Sequence, residues 1–250
     1  MVISPDGSRL YMLKRKTVSG RDVTWVASFD AARQAFDTAS AQIDDCPAAS
    51  LHAPSADQVF VVCGGENTVY AITRHSDGQL VQSSRAMLDK PAGVLPTGEK
   101  NAHGDIRSVI WGRGAEAFLV KLDGQTLRFD TQGMRVTGSS AGPLTGMWVL
   151  GGEGAVSGDG RTLFVGCSRL HDTAFERQYI AAFDSQTLIL IKIAHAPAAF
   201  RSLAWNPFAP ELLLTSPDTH SVIALDPQTL QQTRMLSLNA APDLIRFPSN

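Results

Sequence analysis

One short pattern recurs along this chain and constrains its fold more than any other feature: a tight turn that runs straight into a short apolar strand. Ser4-Pro5-Asp6-Gly7-Ser8-Arg9-Leu10 and Ser157-Gly158-Asp159-Gly160-Arg161-Thr162-Leu163 are the clearest copies. Pro54-Ser55-Ala56-Asp57-Gln58-Val59 and Asn206-Pro207-Phe208-Ala209-Pro210-Glu211-Leu212 are weaker ones. The first apolar residues after the turns are Leu10, Val59, Ala117, Leu163 and Leu212, at intervals of 49, 58, 46 and 49 residues. A second turn recurs downstream, Phe183-Asp184-Ser185-Gln186-Thr187-Leu188 and Leu225-Asp226-Pro227-Gln228-Thr229-Leu230, with looser copies at Phe129-Asp130 and Phe29-Asp30. Arg107-Ser108-Val109-Ile110-Trp111 also matches Arg201-Ser202-Leu203-Ala204-Trp205, 94 residues on.

Between the turns the apolar residues alternate or form runs of about five, as buried strands do. No segment carries the periodicity of a long helix. A repeat of about 40–50 residues holding about four short strands is the signature of a propeller blade. A single such sheet cannot cover both its faces, so blades must stack around an axis. The expected fold is therefore all-β, a single β-propeller over 1–250. Its four-stranded blades fall at about 1–45, 46–100, 101–141, 142–195 and 196–240, with a terminal strand at 241–250. The Asp-Gly turn joins the innermost strand to the second, and the Asp-x-x-Thr turn joins the third to the outermost. Asp243-Leu244-Ile245-Arg246-Phe247 reads as the first strand of a further blade. The ring is then either closed from about five blades or an incomplete seven-bladed one, with an open edge between its ends.

Charge narrows the partners. Lys and Arg number 22 against 24 Asp and Glu, a net charge of −2. A nucleic-acid-binding surface or a polybasic membrane patch needs a large positive excess, so neither is expected. No apolar stretch of about 18 residues is present to insert into a membrane. The N-terminus lacks the basic start and apolar core of a signal peptide, which leaves the compartment unknown, and periplasmic if an upstream segment is missing. Cys46, Cys63 and Cys167 sit in no Cys-x-x-Cys spacing and read as small buried hydrophobes, with at least one free thiol.

The Ser-Pro-Asp-Gly-x-x-Leu-Tyr turn at residues 4–11, followed by Phe-Asp-x-x-Thr-Leu at 183–188, resembles the bacterial YVTN-type propellers. It is also similar to the heavy chain of the quinoprotein amine dehydrogenases. The run from Gly160 to Arg169, the hairpin from His171 to Arg177 and the strand Gln178–Asp184 resemble that chain's basic hairpin and following strand. Arg15–Val23 forms a similar hairpin in the first blade. The resemblance implies a cofactor-free binding scaffold, because in that family the redox group belongs to a small Cys-rich partner chain. A weaker resemblance touches one blade: Gly65–Ile72, Asp77-Gly78-Gln79-Leu80 and Asn101-Ala102-His103-Gly104-Asp105 look like the lactonase (6-phosphogluconolactonase-like) propellers. The alternative function is thus a lactonase-like hydrolase acting on a small anionic lactone at the channel mouth.

In the repeat alignment Arg107, Glu153, Arg201 and Asp243 fall at or beside the channel entry, with His52 and His103 close by. Two arginines, two carboxylates and a histidine suit an anionic small molecule through bidentate contacts. They also suit base and electrostatic roles in ester hydrolysis. His103, Arg107, Glu153, Arg201 and Asp243 are therefore the ligand-binding candidates. Arg169, Phe175 and Arg177, on the hairpin of the fourth blade, are the partner-contact candidates. Trp111 and Trp205 occupy matching repeat positions and read as packing residues. The sequence holds no nucleophile elbow and no zinc-protease motif, so no catalytic residue, metal or cofactor is expected from it. The partners expected are a protein or a small anion.

Overall fold

The recurring turns come first, because they set where every strand begins. At Ser4 the hydroxyl donates to Asp6 Oδ1 (2.6 Å) and accepts from the Arg9 amide (3.0 Å). The Ser4 amide bonds the Arg9 carbonyl at 2.9 Å, and Gly7 sits at φ 70°. Ser157 repeats the motif with Asp159 (2.5 Å) and the Thr162 amide (2.9 Å), and Gly160 takes φ 78°. An asparagine or aspartate can reach αL at some cost, but glycine reaches it freely, which is why the two best copies agree at that position. Asp77-Gly78 and Asp123-Gly124 build the same Asx turn at other strand junctions, with Oδ1 accepting from the amide two residues on at 2.9 Å in both.

In a computed structural model, residues 1–18, 21–37, 39–44, 46, 49–64, 66–88, 105–112, 114–142, 144–149, 154–169, 177–243 and 245 are described. Among them the chain is all-β, with no helix and five antiparallel sheets in sequence order. The first sheet holds β1 (Val2–Ile3), β2 (Arg9–Val18), β3 (Arg21–Asp30), β4 (Ala35–Phe36) and β5 (Ala41–Asp44). The second holds β6 (Ala49–His52), β7 (Gln58–Cys63), β8 (Thr68–Arg74) and β9 (Leu80–Met87). The third holds β10 (Ile106–Trp111), β11 (Glu116–Lys121), β12 (Thr126–Asp130) and β13 (Arg135–Ser139). The fourth holds β14 (Met147–Trp148), β15 (Gly154–Val156), β16 (Thr162–Arg169), β17 (Arg177–Asp184) and β18 (Leu190–Phe200). The fifth holds β19 (Ser202–Trp205), β20 (Leu212–Ser216), β21 (Ser221–Leu225) and β22 (Gln232–Ser237).

Each sheet is a four-position meander. In the first, β4 and β5 share the outer position beside β3, and in the fourth β14 and β15 share the inner one beside β16. The Ser4 and Ser157 turns join the first strand to the second, as the spacing predicts. The Asp184 and Asp226 turns join the third to the fourth. Asp184 Oδ1 accepts from the Gln186 and Thr187 amides and the Thr187 hydroxyl (2.7–3.0 Å), and Asp226 repeats the set with Gln228 and Thr229. Leu188 and Leu230 follow at φ 55° and 59°, an unfavourable region for leucine, but both side chains are buried. The Arg15–Val23 hairpin is a plain extension of β2 and β3, paired out to Val18 and Arg21.

The described residues fall into two compact units, one within residues 1–106 and one within 107–247. In the first unit the first two sheets close on one core of Tyr11, Val26, Ile43, Val59, Val61 and Ile72. In the second unit the fourth sheet is covered on both faces. Leu163, Val165 and Phe183 pack with Ile110, Phe118 and Val120 of the third sheet. Phe164 and Ile180 pack with Leu203, Leu212 and Leu214 of the fifth. A strand buried on both sides reads as a continuous apolar run, which is why Leu163-Phe164-Val165 shows no alternation. Glycine permits the closest approaches: Ile110 lies over Gly154, and the Trp205 ring lies over Gly158 and stacks on Phe164 at 6.4 Å. Trp205 is thus a packing residue, as expected.

The cysteines need a correction. Cys46 and Cys63 are not merely small apolar fillers; they form a disulfide with Cα atoms 5.1 Å apart, buried in the core of the first unit. β6 pairs antiparallel with β7 so that Ala49 faces Cys63, which returns the segment just before β6 to the end of β7. Cys167 stays a buried thiol, as expected, its pKa pushed up to about 12 by burial. A crosslink spanning 17 residues removes unfolded-state entropy worth about 3 kcal/mol. Replacing both cysteines with serine should therefore lower the unfolding temperature of the oxidised protein by about 6–12 °C. A calorimetric scan with and without reductant checks this; reductant should not lower the variant's transition further.

Candidate functional site

The sequence-predicted residues divide sharply. His103, Glu153 and Phe175 lie outside the described residues, as does the side chain of Arg177. Arg107 is an exposed residue on β10. Two of the candidates, Arg201 and Asp243, pair with each other: Nη1 of Arg201 lies 3.1 Å from Oδ1 of Asp243, with both side chains exposed. The same short segment is fastened at two further points. Thr215 donates its hydroxyl to the Asp243 carbonyl (3.3 Å), and the Ile245 amide donates to Ser202 Oγ (3.3 Å). The Arg201 guanidinium therefore already has a carboxylate partner, as exposed pairs of modest strength do. His52 ends β6 half-buried, and burial alone pulls its pKa down to about 4, so it is neutral at pH 7.

Arg169 ends β16, at the root of the segment that the sequence reads as a hairpin. Its guanidinium sits over the Tyr179 ring, 5.1 Å from the centroid. Tyr179 in turn meets the His195 ring edge-on at 4.9 Å, the two residues being directly paired across β17 and β18. Strand register produces this row: Cys167 faces Tyr179, which faces His195, while Arg169 lies one same-face step beyond Cys167. A cation over an aromatic face is worth up to about 1 kcal/mol at an exposed site, and it fixes the long arginine side chain in place. The outcome is an Arg–Tyr–His surface with its rings pre-positioned. The sequence reading found Arg169 but missed Tyr179 and His195; their facing register was the available signal.

A shallow cleft of about 330 Å³ lies on the third sheet, lined by Ala115, Glu116, Phe129, Asp130 and Thr137. Burial raises the Glu116 pKa, and Arg128 beside it at 3.8 Å opposes the shift. No group of three His, Cys, Asp or Glu able to hold a metal occurs among the described residues.

No family model matches the chain, and none of the curated proteins compared with it is similar.

Proposed function

We infer that this chain is a binding scaffold, its five sheets the blades of a β-propeller of the YVTN type. On this reading it resembles the cofactor-free propeller subunit of the amine dehydrogenases. The observation that carries the reading is the Arg169–Tyr179–His195 row, an aromatic and cationic surface at the end of β16. Arginine and tyrosine are the side chains that most often dominate protein contacts, and ordering them in advance lowers the entropy lost on binding. The buried Cys46–Cys63 bond supports an oxidising compartment for this work, since cytosolic reductants keep most thiols reduced.

The test compares affinity capture by the wild-type chain with capture by an Arg169→Ala/His195→Ala chain. Both side chains lie on the surface, and the Tyr179 contacts that they make are worth about 1 kcal/mol each or less, so the circular dichroism melt should fall by only a few degrees. We expect a defined protein partner held by the wild type and depleted at least about 10-fold on the variant. Capture indifferent to the substitutions would overturn the reading. So would turnover of a small anionic lactone by the purified chain that His103→Ala or Arg107→Ala abolishes.

A further inference from the structure

One row of side chains on the first sheet keeps its hydrogen-bonding groups unused. Lys14 on β2 faces Trp25 on β3, which faces Gln42 on β5, and the next row sets Lys16 and Asp44 on either side of Val23. Leu13, Val26 and Ala41, one residue away on each strand, pack into the core shared with the second sheet. The Lys14–Trp25–Gln42 row therefore lies on the opposite face, whereas Arg15, between the two lysines, does not. Lys14, Lys16, Gln42 and Asp44 are exposed, and Trp25 is half-buried. Neither ammonium nor the Trp25 indole N–H has a hydrogen-bond or carboxylate partner among the described residues. Lys16 and Asp44 stand two strand spacings apart, about 10 Å, and form no ion pair. Gln42 Nε2 donates to Asp44 Oδ1 at 2.8 Å, which leaves Gln42 Oε1 and Asp44 Oδ2 as open acceptors.

We propose that this row binds an acidic saccharide, a glycan of hexuronate units. The inference goes beyond the scaffold reading and does not rest on it. The occupant has three demands to meet together. It must lay a flat, weakly polar face on the Trp25 ring, bring an anion to Lys14 and Lys16, and offer hydroxyl donors to Gln42 and Asp44. The C–H face of a pyranose carries partial positive charge and meets the negative face of the indole. A hexuronate carboxylate accepts charge-assisted hydrogen bonds from the two ammonium groups, which lie on one side of the ring. Lys14 and Lys16 are two positions apart on one strand, about 6.7 Å, within reach of one carboxylate through their flexible stems. Ring hydroxyls donate to the acceptors on the other side. A single-stranded nucleic acid also joins anions to a stacking face, but its phosphodiesters set a negative charge against Asp44 where a sugar sets a donor.

Isothermal titration of the full chain with tetrasaccharides of galacturonate, glucuronate and mannuronate tests it, against their methyl esters and oligothymidylate. At least one acidic tetrasaccharide is expected to bind with a Kd below about 1 mM, and its neutral methyl ester at least about 10-fold more weakly. Lys14→Gln/Lys16→Gln should remove most of that preference, while Arg15→Gln, on the other face, leaves it intact. Trp25→Ala should weaken acid and ester alike by at least about 10-fold, and Trp25→Phe, which keeps an aromatic face, should recover part of the loss. A melt confirms that each variant is folded, and the lysine pair, on exposed side chains, decides the matter if Trp25→Ala does not fold. Binding of none of the three acids, equal binding of acid and ester, or an Arg15→Gln loss as large as that of the lysine pair would overturn the proposal. Tighter binding of oligothymidylate would overturn it in favour of a nucleic acid. The capture experiment uses neither lysine nor Trp25, so failure here with Arg169-dependent capture intact rejects the saccharide site alone.

Discussion

Gly154→Val should abolish stable folding of the second unit, and Gly154→Ala should cost at least about 3 kcal/mol. A Cβ built on Gly154 would lie 2.1 Å from Ile110 Cδ1 and 2.4 Å from the Phe164 carbonyl oxygen. The first contact can be relieved by moving a side chain. The second cannot, because Phe164 is in β16, the strand to which β15 is hydrogen-bonded, with Ala155 facing Phe164. Overpacking of a close-packed interior typically costs about 1–3 kcal/mol, and a clash with paired backbone sits at or above the top of that range. Ile110→Ala separates the two contributions. Added to Gly154→Ala it should recover part of the loss and leave the share due to the carbonyl. Chemical denaturation of the single and double variants checks this, and full recovery would show that the backbone contact has no weight.

Asp37→Ala should cost about 3 kcal/mol, through the first unit. The carboxylate occupies the break between β4 and β5 and is 3% exposed, facing Arg9 (13%) and Arg74 (10%) at 3.2 and 2.8 Å. Ser28, itself buried, donates a further hydrogen bond. Arg9 belongs to the first sheet and Arg74 to the second, so Asp37 ties the two together. Removing it leaves two poorly hydrated guanidiniums. The expected cost is at the low end for a broken buried pair, because Arg9 keeps Asp30 at 2.8 Å and Arg74 keeps Asp57 at 3.8 Å. The side-chain hydrogen bond from Arg74 leads the forces that pull the Asp37 pKa from 3.8 down to about 2, ahead of Ser28 and the charge of Arg9. A lowered folded-state pKa gives stability that is fully present above the unfolded value. That stability is lost as the pH falls from about 4 through about 2. Asp37→Asn should therefore be less stable than the wild type at pH 7, with the gap closing over that window. A gap of constant size across it would refute the assignment.

The contrast between what the sequence reveals and what it hides follows contact distance. The Ser4, Ser157, Asp184 and Asp226 turns were legible because the atoms that define them lie within six residues of each other. The burial of the fourth sheet on both faces was legible for a similar reason, since an unbroken apolar run is a local signal. Asp37 had no such signal: its partners are 28 and 37 positions away, and nothing around it reads as more than a loop. The Cys46–Cys63 bond was recoverable in principle. Placing the β6–β7 hairpin in register puts Ala49 beside Cys63 and Cys46 close behind, but counting cysteines without pairing strands could not find it. Among the candidate ligand residues, Arg201 and Asp243 form an ion pair with each other, a contact between positions 42 residues apart that aligning the repeats did not specify. Tyr179 and His195 went unnoticed because their contact depends on which residues face each other across two strands.

The Asx turns have a kinetic consequence as well. Asp184 captures its own chain through three donors supplied by the residues two and three places on, Gln186 and Thr187, and Asp226 does the same with Gln228 and Thr229. Closing so short a loop sacrifices little chain entropy. These corners can therefore form in an otherwise open chain, aiming each outer strand at its neighbour before any sheet has met another. The slow part of folding then falls to the long-range steps: stacking Ile110 onto Gly154, and bringing Asp37 to Arg74. The chain thus separates the two tasks, with hairpin direction fixed early by polar side chains at the corners and sheet order fixed late by glycines and one carboxylate.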